Sequence, residues 1–434
     1  MEESITMLRR ILRVNRADQL LRGGWIRKVL STLRLLPGTL HCQHLRDYEQ
    51  DPALGNGLDL VFTVKHEQQH ALNRIMRRRL QGGQSMKALG GRTPRPYRDG
   101  LLVQHALRNG ITQKMYLQEP FGLDQSGLRL AVAAGDQVRI YDAGAQTTHI
   151  YHNPWFAQLH SVYFSADGKR LLVVSTGFDT VFEFDIEREV FTLVWNAWDH
   201  GYDVSPTGTR VRRGGAGRNA TPDCLIVDDP AAWNGFGLPT GLTAAHLNNA
   251  RYRSDDSILI TLFHHGRAVL VNRADGTPRE VLGGLLNPHG FEPGWRGEYV
   301  VTDTRRGQVI FFDERFDVKS VLVIDASEPA EGRAGLGEWL QNVLHLDRGL
   351  YGAIDIHRSC IWLFEPETRR RRRVDVSPDW AVQNVIAVDP QRVKNLDRRL
   401  DEFSEVHHDV IDASCLMDVG PVPMRSRIPW LRKH

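Results

Sequence analysis

The sequence of 434 residues predicts an all-β ring, a seven-bladed or alternatively six-bladed β-propeller, preceded by an α-helical N-terminal extension. Three observations predict it. A plan of apolar strand, polar turn and second strand closing on a carboxylate or amide recurs along the chain. The distance from turn to closing residue barely varies: fifteen from Gly127 to Asp142, seventeen from Gly168 to Asp185, fifteen from Ser257 to Asn272, sixteen from Gly297 to Asp313 and sixteen from Gly349 to Glu365. Three of the runs open on histidine eight residues before the turn glycine, at His160, His200 and His289.

Residues 1–95 are expected to be a basic helical extension and linker. MLRRILRVNRADQLLRGGWIRKVLSTLRLL places apolar residues at helical spacing, breaks at Gly23 and Gly24 and stops at Pro37. A second helix is expected around KHEQQHALNRIMRRRLQ, and GGQSMKALGGRTPRPYRDG reads as a linker. A basic amphipathic segment of this kind either caps the main domain or touches an anionic membrane surface peripherally.

Residues 96–434 are expected to form the propeller. Repeats of about 40 to 50 residues, each too small to bury both faces alone, solve that problem by closing into a ring. Seven starts can be counted, at Glu119, His160, His200, Asn249, His289, Gln341 and Asn384. The last unit degenerates after Val388, so six blades with a closure built from both termini satisfies the same pattern. The third unit carries RVRRGGAGRNATPDCLIVDDPAAWNGFGLPTG, too long and glycine-rich for a plain turn, and a loop of that length suits the roof of a binding site.

Charge excludes some partners. The 55 Lys and Arg nearly balance 52 Asp and Glu, so nucleic acid is not expected, and Arg369–Arg373 reads as a solvated edge or loop. Four scattered cysteines without a CxxC pair suit reduced thiols in a cytoplasmic protein, and no stretch has the length and apolarity of a membrane span or export signal.

Aligned repeats place equivalent residues at one mouth of the channel. Glu119, His160, His200 and His289 fall there, with His246 and His345 a few residues away. Imidazoles from separate blades with a carboxylate among them suit a divalent transition metal, iron first, with zinc, copper or manganese also admissible. The reading that follows is a metal-dependent enzyme, an oxidoreductase or oxygenase acting on a small apolar molecule. The bland alternative is polar residues that bond neighbouring blades or hold channel water. His264 with His265, in a strand-to-strand turn, and His407 with His408 are expected at the surface. No G-x-G-x-x-G, P-loop or G-x-S-x-G is present, which excludes the commonest nucleotide and serine-hydrolase sites.

The stretch AAHLNNARYRSDDSILITLFHHGRAVLVNRADGTPREVLGG, followed by NPHGFEP, resembles the histidine-bearing blades of arylsulfotransferase-like propellers, and shares strand grammar with NHL-type and SMP-30-like propellers. The likeness spans about residues 241–305. It implies group transfer in which His246 or His289 is a nucleophile and Arg267 steadies an anionic donor. Four histidines meeting on an axis are also similar, in geometry alone, to carotenoid-oxygenase-like propellers. A third class remains, a non-catalytic scaffold that binds a protein partner.

Overall fold

The computed structural model describes residues 41–69, 99–214, 221, 223–233, 236–325, 338–388 and 403–409. Among them the chain forms a six-bladed propeller. The first blade is Pro120–Ser126, Arg129–Ala134, Gln137–Asp142 and Thr147–His152, the second Leu159–Phe164, Arg170–Ser175, Thr180–Asp185 and Val190–Asn196. Leu247–Ser254, Ser257–Leu262, Arg267–Asn272 and Pro278–Leu282 make the third, and Phe291–Pro293, Tyr299–Asp303, Gln308–Phe312 and Val318–Val323 the fourth. The fifth is Leu340–Asp347, Leu350–Asp355, Cys360–Glu365 and Arg370–Asp375. The sixth is composite: Val382–Val388 is its inner strand, and Asp59–Val64, Asp99–Ala106 and Gly110–Gln118 complete it.

The strands form where the sequence is β-branched or aromatic and can be covered on both sides. Ser257–Leu262 and Leu350–Asp355 are buried at every position, because the second strand of a blade lies between two neighbouring sheets. The core is accordingly divided into six apolar layers, one between each successive pair of blades. The layer between the first two blades carries Phe156, Phe178, Phe182 and Phe184; the layer between the fourth and fifth carries Tyr351, Trp362 and Phe364.

Two expectations are corrected here. The His200 unit is not a seventh blade: Arg210–Arg213 and Cys224–Val227 form a two-stranded parallel ribbon inserted between the second and third blades. Its look-alike spacing comes from the turn. Gly208 N–H bonds the Ser205 carbonyl as Gly168 N–H bonds that of Ser165, but no buried inner strand precedes it. Nor is the region before residue 96 simply helical. His41–His44, Glu49–Gln50 and Asp59–Val64 are strands of the fourth, fifth and sixth blades, so the propeller begins well before residue 96. The helix expected over residues 7–36, most of the linker and most of the helix expected around residues 65–81 lie outside the described residues.

Terminal segments also bind the rim. His41–His44 lies parallel to Val318–Val323, Glu49–Gln50 to Arg370–Asp375, and Ser404–Asp409 to Thr147–His152. The arginine run is the fastening. Arg372 donates to the carbonyls of Leu54 and Leu107 and to Asn56, Arg371 to the carbonyl of Leu45, and Arg370 pairs with Asp51 at 3.0 Å and Glu365 at 2.7 Å. These guanidinium groups spend their donors on the protein's own backbone and carboxylates, an outer strand where a solvated edge or loop was expected. No described helix is long and apolar enough to cross a membrane, and Cys42, Cys224 and Cys360 form no disulfide.

Candidate functional site

Five of the six inner strands share one irregularity. Pairing with the second strand slips between Pro120 and Leu123, Leu159 and Ser161, Leu247 and Asn249, Leu340 and Asn342, and Val382 and Asn384. Such a bulge turns two successive side chains to the same side. His160 with Ser161, Asn248 with Asn249, Gln341 with Asn342 and Gln383 with Asn384 therefore face the channel together. His289 with Gly290 holds the matching place in the fourth blade and Phe121 in the first. With Tyr163 these residues line a narrow, partly open axial pocket.

Hydrogen bonds orient the imidazoles at this mouth. His160 Nδ1 lies 3.0 Å from the Gln158 carbonyl, an acceptor only, so Nδ1 carries the proton. The Thr243 hydroxyl donates to the Thr240 carbonyl at 2.9 Å and so receives the Nδ1–H of His246 at 3.0 Å. His289 Nδ1 is 2.7 Å from Thr304 Oγ1, and the Asn287 carbonyl accepts from the same ring. In His246 the lone pair is thereby left on Nε2. His264 is opposite in sense, its Nε2 donating to the Thr240 carbonyl at 2.9 Å.

Burial keeps the His246 and His289 rings neutral. It pushes His246 well below the ordinary imidazole value, and protonating His246 is further disfavoured by its neighbours His264, His160, His289 and Lys65. It lowers His289 to about 3, against the pull of the Asn287 carbonyl. The His246 ring lies 5.5 Å from that of His160, 4.9 Å from His264 and 5.0 Å from Phe263, whose other side meets His289 at 5.1 Å. Lys65 Nζ sits 4.4 Å over the Phe121 ring, which in turn contacts His160 at 4.2 Å.

Two devices hold the site. Buried Asp179 accepts the backbone N–H groups of Ala244, Ala245 and His246 at 2.7, 3.0 and 2.6 Å and the Trp198 indole N–H at 2.9 Å, fixing the turn that presents His246. Below the mouth, Glu292 accepts from the Tyr163 hydroxyl at 2.8 Å and from Asn249 Nδ2 at 2.7 Å, and pairs with Arg251. Arg251 lies 3.3 Å above the Tyr163 ring and 3.8 Å from Asp124, whose burial raises its pKa to about 6 despite that arginine.

The expected site residues divide. His160 and His289 line the pocket, and His246, itself outside the lining, packs against His160 beside it. His200 does neither: it stacks on Trp195 at 5.1 Å, on the outermost strand of the second blade, against the Gly276 turn of the third. His345 pairs opposite Tyr351 toward the far end of its strand and packs on Trp295 at 5.5 Å. Glu119 is buried at the start of the first blade, but it does not line the pocket. Arg267, half exposed, pairs with Glu280 at 2.7 Å at the start of the third strand of its blade, and it too is no part of the pocket lining. His264, expected at the surface, belongs to the mouth. His408 is not fully exposed either, lying against Tyr151 at 4.6 Å and Glu189 at 2.8 Å.

Sequence reasoning missed Lys65, Thr243, Asn248, Tyr163, Arg251 and Glu292. Tyr163, Arg251 and Glu292 stand at one register, three residues after His160, Asn248 and His289, and that recurrence was the available signal.

Among the described residues no group of three or more His, Cys, Asp and Glu is arranged to hold a metal ion. The six residues expected to coordinate one therefore do not form a coordination shell, although the Nδ1 bonds of His160, His246 and His289 are of the kind that orients metal-ligating imidazoles.

No family model and no curated protein matches this chain. Among solved structures, it is similar to virginiamycin B lyase from Staphylococcus aureus, with 11% identity, 60% of this chain and 71% of that chain covered, and a TM-score of 0.39. A streptogramin B lyase gives 11% identity, 60% and 70% coverage and a TM-score of 0.39. A protein of unknown function from Bacteroides caccae gives 8% identity, 76% and 99% coverage and a TM-score of 0.45. The arylsulfotransferase-like resemblance of residues 241–305 finds no matching family model; those residues form the third blade and the start of the fourth.

Proposed function

We propose that the protein is an enzyme acting on a small polar molecule at the axial mouth, with His246 as the proton acceptor. The observation that carries this is the anchored, neutral imidazole: Nδ1 is committed to Thr243, and the turn bearing His246 is held by the Asp179 carboxylate. Its lone pair is available throughout the neutral range because burial keeps the proton off. A proton leaves a substrate O–H or acidified C–H for Nε2, the electron pair stays on the substrate, and the Lys65 ammonium at the pocket lip favours the negative charge that develops. His289 holds the substrate by a hydrogen bond. A polar substrate replaces the apolar one expected from sequence, because amides, a serine, a tyrosine and two histidines line the pocket.

A second reading, a transition metal held by the mouth histidines, is favoured by the same Nδ1 anchoring. Incubating full-length protein with a cell-extract metabolite mixture and following consumption by mass spectrometry tests the first reading. Consumption of a compound by wild type, abolished in His246→Ala of unchanged fold, supports it; undiminished consumption by the variant refutes it. Stoichiometric metal in the purified protein, lost in a His160→Ala/His289→Ala double variant, moves the assignment to the second.

A further inference from the structure

The pocket wall has a hydrogen-bond polarity that names a ligand class. Its blades two to four present acceptors whose orientation is fixed from behind. Asn249 Nδ2 is spent on Glu292 Oε1 at 2.7 Å and the Tyr163 hydroxyl oxygen at 3.0 Å, so Oδ1 is the free end. Asn248 Nδ2 points at the Pro288 carbonyl at 3.4 Å, which fixes its Oδ1 likewise. Both oxygens, and the Ser161 hydroxyl, are buried without a hydrogen-bond partner, and the three side chains are at most 5% exposed. A buried polar atom left unpaired costs about 1–3 kcal/mol, so three lining one pocket point to something that pairs them. His289 lines the same side.

Blades five and six have the opposite sense. Asn342 Oδ1 accepts the N–H of Val343 at 2.9 Å and Asn384 Oδ1 that of Val385 at 2.8 Å, so each amide has its NH₂ left to give. A ligand that satisfies both arcs must donate to one side and accept from the other. An ammonium cannot accept, and a carboxylate cannot donate. The hydroxyl does both, and the Phe121 ring in the wall offers a face for the C–H groups of a carbon skeleton. Arg251 offsets Glu292 beneath the pocket and Lys65 stands at its lip, an environment that does not call for a cationic ligand.

We infer that the axial pocket recognises a neutral polyhydroxylated molecule, a polyol or monosaccharide, through Asn248, Asn249, Ser161 and His289 on one side and Asn342 and Asn384 on the other. This rests on the axial mouth being the active site. Ligand-observed NMR and calorimetry of the full chain with myo-inositol, D-glucose and D-mannitol test it, against per-O-methylated inositol, ethylammonium, acetate and acetamide. Expected is saturable binding of at least one polyol, loss on O-methylation, at least tenfold weaker binding in Asn248→Ala, and no change in Arg296→Ala, an exposed turn residue outside the pocket lining. Because Asn249 bonds Glu292 and its replacement threatens folding, the O-methylated ligand serves as the test that leaves the protein intact. Binding of acetamide, ethylammonium or acetate in place of polyols, ordered water alone, or equal polyol binding by Asn248→Ala overturns the inference. A His246-dependent reaction on a compound without hydroxyls overturns it while sparing the catalytic reading; polyol binding with no His246-dependent chemistry does the reverse.

Discussion

His289 and Asp179 show what burial imposes on a single titratable side chain. The imidazole of His289 titrates at about 3 in the folded chain and near the ordinary 6.5 when unfolded, so the unfolded state binds more protons between those values. The stability this neutral ring contributes is full above pH 6.5 and is lost as pH falls toward 3. At pH 5 the loss is about 2 kcal/mol for this residue, and His246 adds a loss of the same sign. Urea denaturation at pH 7 and pH 5 should show it, with the difference smaller by about 2 kcal/mol in His289→Gln; an unchanged difference would show that His289 is not held neutral. Asp179→Asn replaces one of the two oxygens that face backbone N–H groups with a donor. It should cost about 2–4 kcal/mol and speed hydrogen exchange at Ala244, Ala245 and His246, with the melting curve and exchange rates as readouts.

The strand is the scale at which the sequence was most and least legible. Continuous apolar runs, turn chemistry and the near-constant spacing identify Arg170–Ser175, Ser257–Leu262 and Tyr299–Asp303 as buried strands because each keeps an unbroken register with its outer neighbour. Five of the six inner strands do not, since one extra residue at the bulge shifts the register. That is why Asn249 and Asn384 were aligned with His160, when Asn248 and Gln383 hold its place, and why Asn248 was overlooked. His200 was drawn in by a Ser-x-x-Gly turn that the insertion shares with a true blade. Asp59–Val64 was hidden because its pairing partner lies more than three hundred residues later, at Val382–Val388. Gly290→Ala would place its Cβ 1.9 Å from Asn342 Oδ1, where the next blade leaves no room, and should cost about 1–3 kcal/mol in thermal denaturation. Arg372→Ala removes donors to Leu54, Asn56 and Leu107 and should release the strap before Asp59 to limited proteolysis, with the inner blade strands still protected.

For the molecule as a whole, the apolar layers between blades make stability a property of closure. Each sheet buries its faces only against two neighbours, so a missing blade exposes two layers together. Removing residues 382 onward should therefore abolish the cooperative transition in calorimetry, while removing residues beyond 402, which deletes the rim strand Ser404–Asp409 with Phe403 and the residues after it, should lower the melting temperature and keep a single transition. Two independent transitions in the intact chain would contradict a ring held by its closure.

The composite sixth blade also sets a timetable for synthesis. Strands Asp59–Val64, Asp99–Ala106 and Gly110–Gln118 leave the ribosome long before Val382 supplies their inner partner. At roughly 5–20 residues per second the wait is on the order of tens of seconds. Throughout it, the nascent chain carries an unfinished sheet with an open apolar edge, so productive expression should depend on holdase chaperones and on slow, cool growth far more than the finished ring's stability would suggest.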